Sequence, residues 1–184
     1  MRPTKEQAKE NKRRILETAA RLFRENGIHA VGVDAVMSGA GLTHGGFYGH
    51  FKSKSDLAEQ ALADAMQKSL ESEPGTMTLS DFAEAYLSAE HRDHAGAGCA
   101  VAALGPELAR LPPQERTAAT DYVRALIARI EELQERNGGP KDRKKAIAEL
   151  SGLLGALIMA RLVNDPALSD EIMASTRETV TGMA

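Results

Sequence analysis

Apolar residues recur along this chain at intervals of three and four, the repeat of a helix packed on one face. Nowhere do they alternate in the two-residue rhythm of a half-buried strand. Over residues 9–26, Ile15, Ala19, Leu22 and Phe23 fall on one stripe, and Gly27 follows as a helix-ending glycine. Residues 1–8 read as a loose arm from which Arg2 and Lys5 can reach an anion. Val33, Val36 and Met37 mark a short helix. Over 54–70, Leu57, Ala58, Ala61, Leu62, Ala65, Met66 and Leu70 cover a wide arc, as in a helix packed by two neighbours. Glu73, Pro74, Gly75 and Thr76 break the pattern. Residues 79–91 predict one amphipathic helix bearing Leu79, Phe82, Ala83, Tyr86 and Leu87. A glycine-punctuated loop follows to Cys99, and then a helix over 100–110 with Pro106 as a kink. Leu111, Pro112 and Pro113 break the chain again. Residues 114–136 carry Tyr122, Leu126, Ile130 and Leu133 on one face, and Asn137, Gly138, Gly139 and Pro140 stop that helix. Two last helices are expected over 141–164 and 169–181, separated by Asp165 and Pro166.

The stretch over residues 33–54, VDAVMSGAGLTHGGFYGHFKSK, organises the rest. A short helix ends at Ala40 and Gly41, where glycine is free to turn left-handed. Thr43 stands where an N-cap should stand for a second short helix over 44–48. Ser53 and Asp56, three apart, make a capping-box-like start for a third. Two short helices joined by a glycine turn form a helix-turn-helix, whose second helix enters the DNA major groove. The hydroxyls of Thr43 and Tyr48 suit phosphate oxygens, as does the charge of Lys54. His44 has the reach for a base edge, and Phe47 and Phe51 read as core. Lys12, Arg13 and Arg14 near the start of the first helix oppose its dipole, which makes Arg13 and Arg14 candidates for phosphate. Gly45 and Gly46 each weaken a helix by about 1 kcal/mol relative to Ala. The second helix should therefore be marginal without DNA, and its reading should lean on backbone contact and DNA shape.

The run Gly41, Leu42, Thr43, Gly45, Phe47, Tyr48, His50, Phe51 and Lys54 resembles the DNA-binding domain of the TetR family of transcriptional regulators. The close resemblance covers residues 1–60; the remainder is similar in helix count, length and order. It implies an all-α fold of about nine helices. A three-helix helix-turn-helix domain would span residues 1–53, and a helical ligand-binding and dimerisation domain 54–184. It also implies a homodimer on a near-palindromic double-stranded DNA operator, most often a repressor released by a small-molecule inducer. In the family, positions matching Thr43, Tyr48 and Lys54 touch the DNA backbone. Some such repressors sense electrophiles or oxidants through a cysteine.

Charge sharpens this picture. The net charge is −3, yet residues 1–60 hold 10 Lys and Arg against 7 Asp and Glu, while residues 61–184 hold 13 against 19. The positive end coincides with the helix-turn-helix. No apolar run has the length of a membrane span, and the first residues lack a signal peptide's apolar core, so the chain is expected in the cytoplasm. One cysteine permits no internal disulfide. With no Trp and 4% aromatics, a large stacking cleft is disfavoured.

Candidate chemistry is sparse. His91, Asp93, His94 and Cys99 can each ligate a metal, but their spacing fits no usual zinc site. There is no phosphate loop, nucleophile elbow or HExxH motif. The expectation is no enzyme, no metal and no cofactor. Cys99, just ahead of a helix, is either a sensor thiol activated by the dipole or an inert core residue. A pocket for a modest apolar inducer should be lined by Phe82, Tyr86, Cys99, Leu104, Tyr122 and Leu126. Leu150, Leu153, Leu154, Leu157 and Ile158, with Ile172 and Val180, are candidates for a two-by-two helical bundle between identical subunits. The alternative is burial within one subunit. Two other classes remain open at this level, a helical protein-interaction module and a small enzyme around His91, His94 and Cys99.

Overall fold

Capping side chains start most of the α-helices among the described residues. The computed structural model describes residues 4–71 and 76–182. α1 (Lys5–Asn26) opens on a capping box. Thr4 Oγ1 accepts from the Gln7 amide at 3.2 Å, and Gln7 Oε1 accepts from the Thr4 amide at 2.9 Å. The helix thus begins at Lys5, not at residue 9, and residues 5–8 of the expected arm are helical; Arg2 lies outside the described residues. Lys12, Arg13 and Arg14 consequently stand about two turns inside, beyond the dipole's first turn, so their placement no longer signals an external anion.

α2 (Val33–Gly39) leads through a turn at Gly41, φ +68°, to a six-residue 3-10 helix, His44–Gly49. α3 (Lys54–Glu71) is capped by Ser53, whose Oγ accepts from the Asp56 amide at 3.1 Å, while Asp56 accepts from the Lys52 amide at 2.8 Å. The break expected at Glu73, Pro74 and Gly75 lies outside the described residues. The single helix expected over 79–91 is two, α4 (Leu79–Tyr86) and α5 (Ala89–Asp93). Leu87 leaves helical geometry, and the Ser88 hydroxyl accepts from the His91 amide at 3.1 Å, starting a new helix instead of continuing the old one. A 3-10 turn, Ala95–Ala97, precedes α6 (Ala100–Leu108), which contains Pro106. After a 3-10 turn at Pro113–Arg116 come α7 (Thr117–Arg136), α8 (Arg143–Leu162) and α9 (Pro166–Thr181). Asp142 and Asp165 cap the last two, and Pro166 occupies the first turn of α9, where its missing N–H costs nothing. Among the described residues the fold is all-α.

α1 packs on α2 and α3, burying Ile15, Ala19 and Phe23 with Phe47, Phe51 and Leu57. α3 also packs on α6 and α7, so it has the two neighbours its wide apolar arc requires. α8 packs against α7 and α9 and carries apolar residues on both its inner and its outer side. Leu150, Leu153 and Leu157 of α8 and Val180 of α9 are buried in the chain's own core, and Leu154 and Ile172 are half-buried. On the other side of α8, Ile147, Ile158, Met159 and Leu162 are exposed, Leu162 by 79%.

Candidate nucleic-acid interface and an adjoining cavity

Phe47 fixes the 44–49 helix to the domain. It is 1% exposed, stacks at a tilt on Phe51 with centroids 5.7 Å apart, and sits one residue after Gly46, whose absent Cβ would lie 3.6 Å from Met37. The opposite face is bare. Thr43, His44, Gly45 and Gly46 are exposed, and Tyr48 is 72% exposed, touching Phe47 edge-on. Thr43 caps only through its carbonyl, which accepts from the Gly46 amide at 3.0 Å. Its hydroxyl makes no capping bond, contrary to expectation, because a 3-10 start closes the turn through the backbone. Gly45 and Gly49 have negative φ, and a Cβ on either would meet nothing within 4 Å. Neither turn geometry nor internal packing calls for glycine there.

The charges around this face are individually placed. His44 Nδ1 hydrogen-bonds the carboxylate of Asp34 on α2, leaving Nε2 without a partner among the described residues. Lys54 donates to the His29 carbonyl at 3.1 Å. Arg13 pairs with Glu10 at 2.6 Å and Glu17 at 2.8 Å. Arg14 donates to the Ala40 carbonyl and braces the Gly41 turn, where a Cβ would lie 2.7 Å from its Nη2. Lys52 is exposed without an ion pair among the described residues. Sequence reasoning does not single it out, although its position between buried Phe51 and the start of α3 is a signal that could have found it.

An open cavity of about 700 Å³ lies beside α1. Its walls come from α1, α3, α4, α7 and the segment through Cys99. Phe82, Tyr86, Cys99, Tyr122 and Leu126 line it. Leu104 does not; it is buried in the core. Tyr86 Oη is buried with no hydrogen-bond partner among the described residues. Burial, reinforced by the neighbouring Cys99 thiol, pushes the Tyr86 phenol well above its usual range. Tyr122 is pushed up to about 12 for the same reasons, while its Oη lies 3.2 Å from Ser69 Oγ.

His91 holds the segment in place. Its Nδ1 lies 2.7 Å from the Tyr86 carbonyl, and its Nε2 accepts from the Cys99 amide at 2.9 Å. Those partners select the neutral ring with the proton on Nδ1. Burial lowers its pKa, and the cation of Arg161 adds to the effect, opposed by the bond to Tyr86. Both ring nitrogens are therefore spent on backbone, and His94 Nδ1 is on the Glu90 carbonyl at 3.0 Å. Among the described residues no three His, Cys, Asp or Glu side chains gather to hold a metal.

Residues 15–61 match the family model for bacterial regulatory proteins of the tetR family. Over 56 residues the chain is 43% identical to the HTH-type transcriptional regulator AcrR of Shigella flexneri, covering 30% of this chain and 26% of that protein. Over 68 residues it is 37% identical to the HTH-type transcriptional regulator TtgR of Pseudomonas putida, covering 37% of this chain and 32% of that protein. The matched stretch spans no more than about a third of the length of these relatives. The whole chain is similar in fold to the reduced form of E. coli NemR, with TM-score 0.75 and 18% identity over 94% of this chain and 96% of that one. It is equally similar to a TetR transcriptional regulator from Chloroflexus aurantiacus, with TM-score 0.75 and 21% identity over 95% and 96%. A helix-turn-helix that matches the tetR-family model thus sits within a fold that this chain shares over 95% of its length with a solved TetR transcriptional regulator.

Proposed function

We propose that the protein is a DNA-binding transcriptional regulator, a repressor that holds a near-palindromic operator as a homodimer and releases it when a small molecule fills the cavity. The carrying observation is the bare, glycine-rich outer face of the 44–49 helix, with Thr43, His44 and Tyr48 exposed around it. Thr43, Tyr48, Lys54 and Lys52 serve phosphates, and His44 Nε2 serves a base edge. A second copy covers the outer face of α8, where Ile147, Ile158, Met159 and Leu162 otherwise face water. Two such helices read half-sites about 34–36 Å apart. Arg24 of α1 lines the cavity and donates to the Gly96 carbonyl at 2.8 Å, so occupancy is felt on the helix that carries the DNA-binding domain. A coupling of about 1–3 kcal/mol changes DNA affinity 5- to 150-fold. No helix among the described residues is long and apolar enough to cross a membrane, which fits action on cytoplasmic DNA. The protein acts by binding and not by turnover.

Selection of bound duplexes from random DNA tests this. Enrichment of a two-fold symmetric motif with half-sites one helical turn apart is expected; no enrichment contradicts it. A second reading has Cys99 as an electrophile or oxidant sensor, favoured by its place on the cavity wall. Electrophile-induced release that persists in Cys99→Ser would rule that reading out.

A further inference from the structure

The cavity holds two polar groups that the folded chain leaves unanswered. Arg24 is half-buried, and its Nε and Nη2 both donate to one neutral acceptor, the Gly96 carbonyl. It forms no ion pair with a carboxylate among the described residues. Tyr86 is 8% exposed, and its hydroxyl has no partner there. Both residues line the same cavity.

The acidic groups on the cavity wall do not make good this deficit. Glu17 and Asp64 are each paired with Lys68 at 2.9 Å, and Glu90 is exposed. The remaining wall includes Phe82, Leu126 and Met77, which are apolar. Arg129, also on the wall, lies over the Phe82 ring at 5.3 Å. The wall therefore offers apolar surface together with an unbalanced cation and a spare hydroxyl donor.

We infer that the cavity selects an apolar or aromatic monocarboxylate, whose carboxylate pairs with Arg24 and accepts a hydrogen bond from Tyr86 Oη. The inference rests on the reading of the cavity as the inducer site. A carboxylate is the fitting group on three counts. It supplies the counter-ion Arg24 lacks. It accepts from a guanidinium and a phenol at once, where an alcohol or amide offers weaker acceptors. An amine would bring a second cation beside Arg24. Burial already lowers the Arg24 pKa, so the guanidinium is held charged at a cost that an anion relieves. A cavity of this volume accommodates a medium-length chain or a two-ring system.

The test is calorimetric titration of the full-length protein with three series of matched skeletons. These are octanoate, decanoate, dodecanoate and 2-naphthoate, the corresponding alcohols, and the corresponding amines. The carboxylates are expected to bind at least about tenfold tighter than the alcohol of the same skeleton. That advantage should fall to within about threefold in Arg24→Gln and be largely kept in Arg24→Lys. Tyr86→Phe should weaken carboxylate binding several-fold while leaving the unliganded melting temperature unchanged or higher, since it deletes an unsatisfied buried hydroxyl. Alcohols or amines binding as tightly as acids, an acid advantage that survives Arg24→Gln, or no acid binding at all would overturn the inference. The inducer reading fails separately. Acids that bind with the predicted selectivity but leave DNA affinity unchanged would remove the inducer role and keep the carboxylate site. Alcohols or amines that release DNA would do the reverse.

Discussion

Replacing Gly45 by alanine should strengthen the fold and weaken the complex with DNA. Gly45 has a negative φ, and an added methyl would meet nothing within 4 Å. The fold therefore offers no resistance, and the loss of glycine's unfolded-state freedom is worth up to about 1 kcal/mol. For a chain of this size that raises the melting temperature by roughly 2–4 °C. On the proposed DNA face, however, the same methyl stands between the 44–49 backbone and the groove. Overpacking a close interface by one carbon costs about 1–3 kcal/mol, which weakens binding roughly 5- to 150-fold. Two controls frame the result. At Gly152, inside α8, a Cβ meets only Thr176 at 3.8 Å, an ordinary contact, so Gly152→Ala should stabilise without touching DNA affinity. At Gly41, with φ +68° and Arg14 at 2.7 Å, alanine should destabilise by more than about 1 kcal/mol. The assay pairs thermal unfolding with equilibrium binding to the selected operator. Gly45→Ala with unchanged DNA affinity would refute the close approach, and a lowered melting temperature would refute the local geometry.

Other perturbations separate folding from function in the same way. Phe47→Ala should cost about 3–5 kcal/mol in chemical unfolding, because that ring is the buried anchor, whereas Tyr48→Phe should leave unfolding unchanged and weaken operator binding several-fold. Leu162→Glu places a charge on the exposed face of α8; sedimentation should show monomers while the helical circular dichroism of the subunit persists. His91, with its pKa lowered in the folded chain, contributes stability that is complete above the unfolded value of about 6.5. That contribution is lost as pH falls below it, since the unfolded chain then takes up a proton that the folded one resists. Unfolding free energies at pH 7.5 and 5.5 should therefore differ more in the wild type than in His91→Asn.

Periodicity carries the helix order and the all-α fold, but it does not resolve faces or breaks. The Thr4 and Gln7 capping box is present in the sequence and is outweighed there by a basic, polar start that resembles an arm. The break at Leu87 is not legible, because Leu79, Phe82, Ala83, Tyr86 and Leu87 keep the helical stripe unbroken while Ser88 can either continue a helix or cap one. In α8 the apolar residues form one continuous stripe. Only the positions of α7 and α9 decide that Leu150, Leu153 and Leu157 face inward and Ile147, Ile158 and Leu162 outward. The site divides similarly. Phe47 and Phe51 are core, as their spacing implies, and Tyr48 is exposed. That Arg14 braces the Ala40 carbonyl and Arg13 joins two glutamates of its own helix depends on a chain path the residue types do not encode. The orphan hydroxyl of Tyr86 and the unpaired Arg24 have no sequence signal at all, since each is defined by what fails to surround it among the described residues.

Binding to the DNA flanking the protein's own gene, measured at two salt concentrations against a scrambled duplex of equal length, tests whether the 44–49 helix reads DNA. Clear preference for the flank, with log affinity falling steeply in log salt at close to 0.9 per phosphate neutralised, is the predicted outcome. Weak binding that is indifferent to sequence, or strong binding without a salt slope, would contradict the account of the 44–49 helix as a reader of DNA.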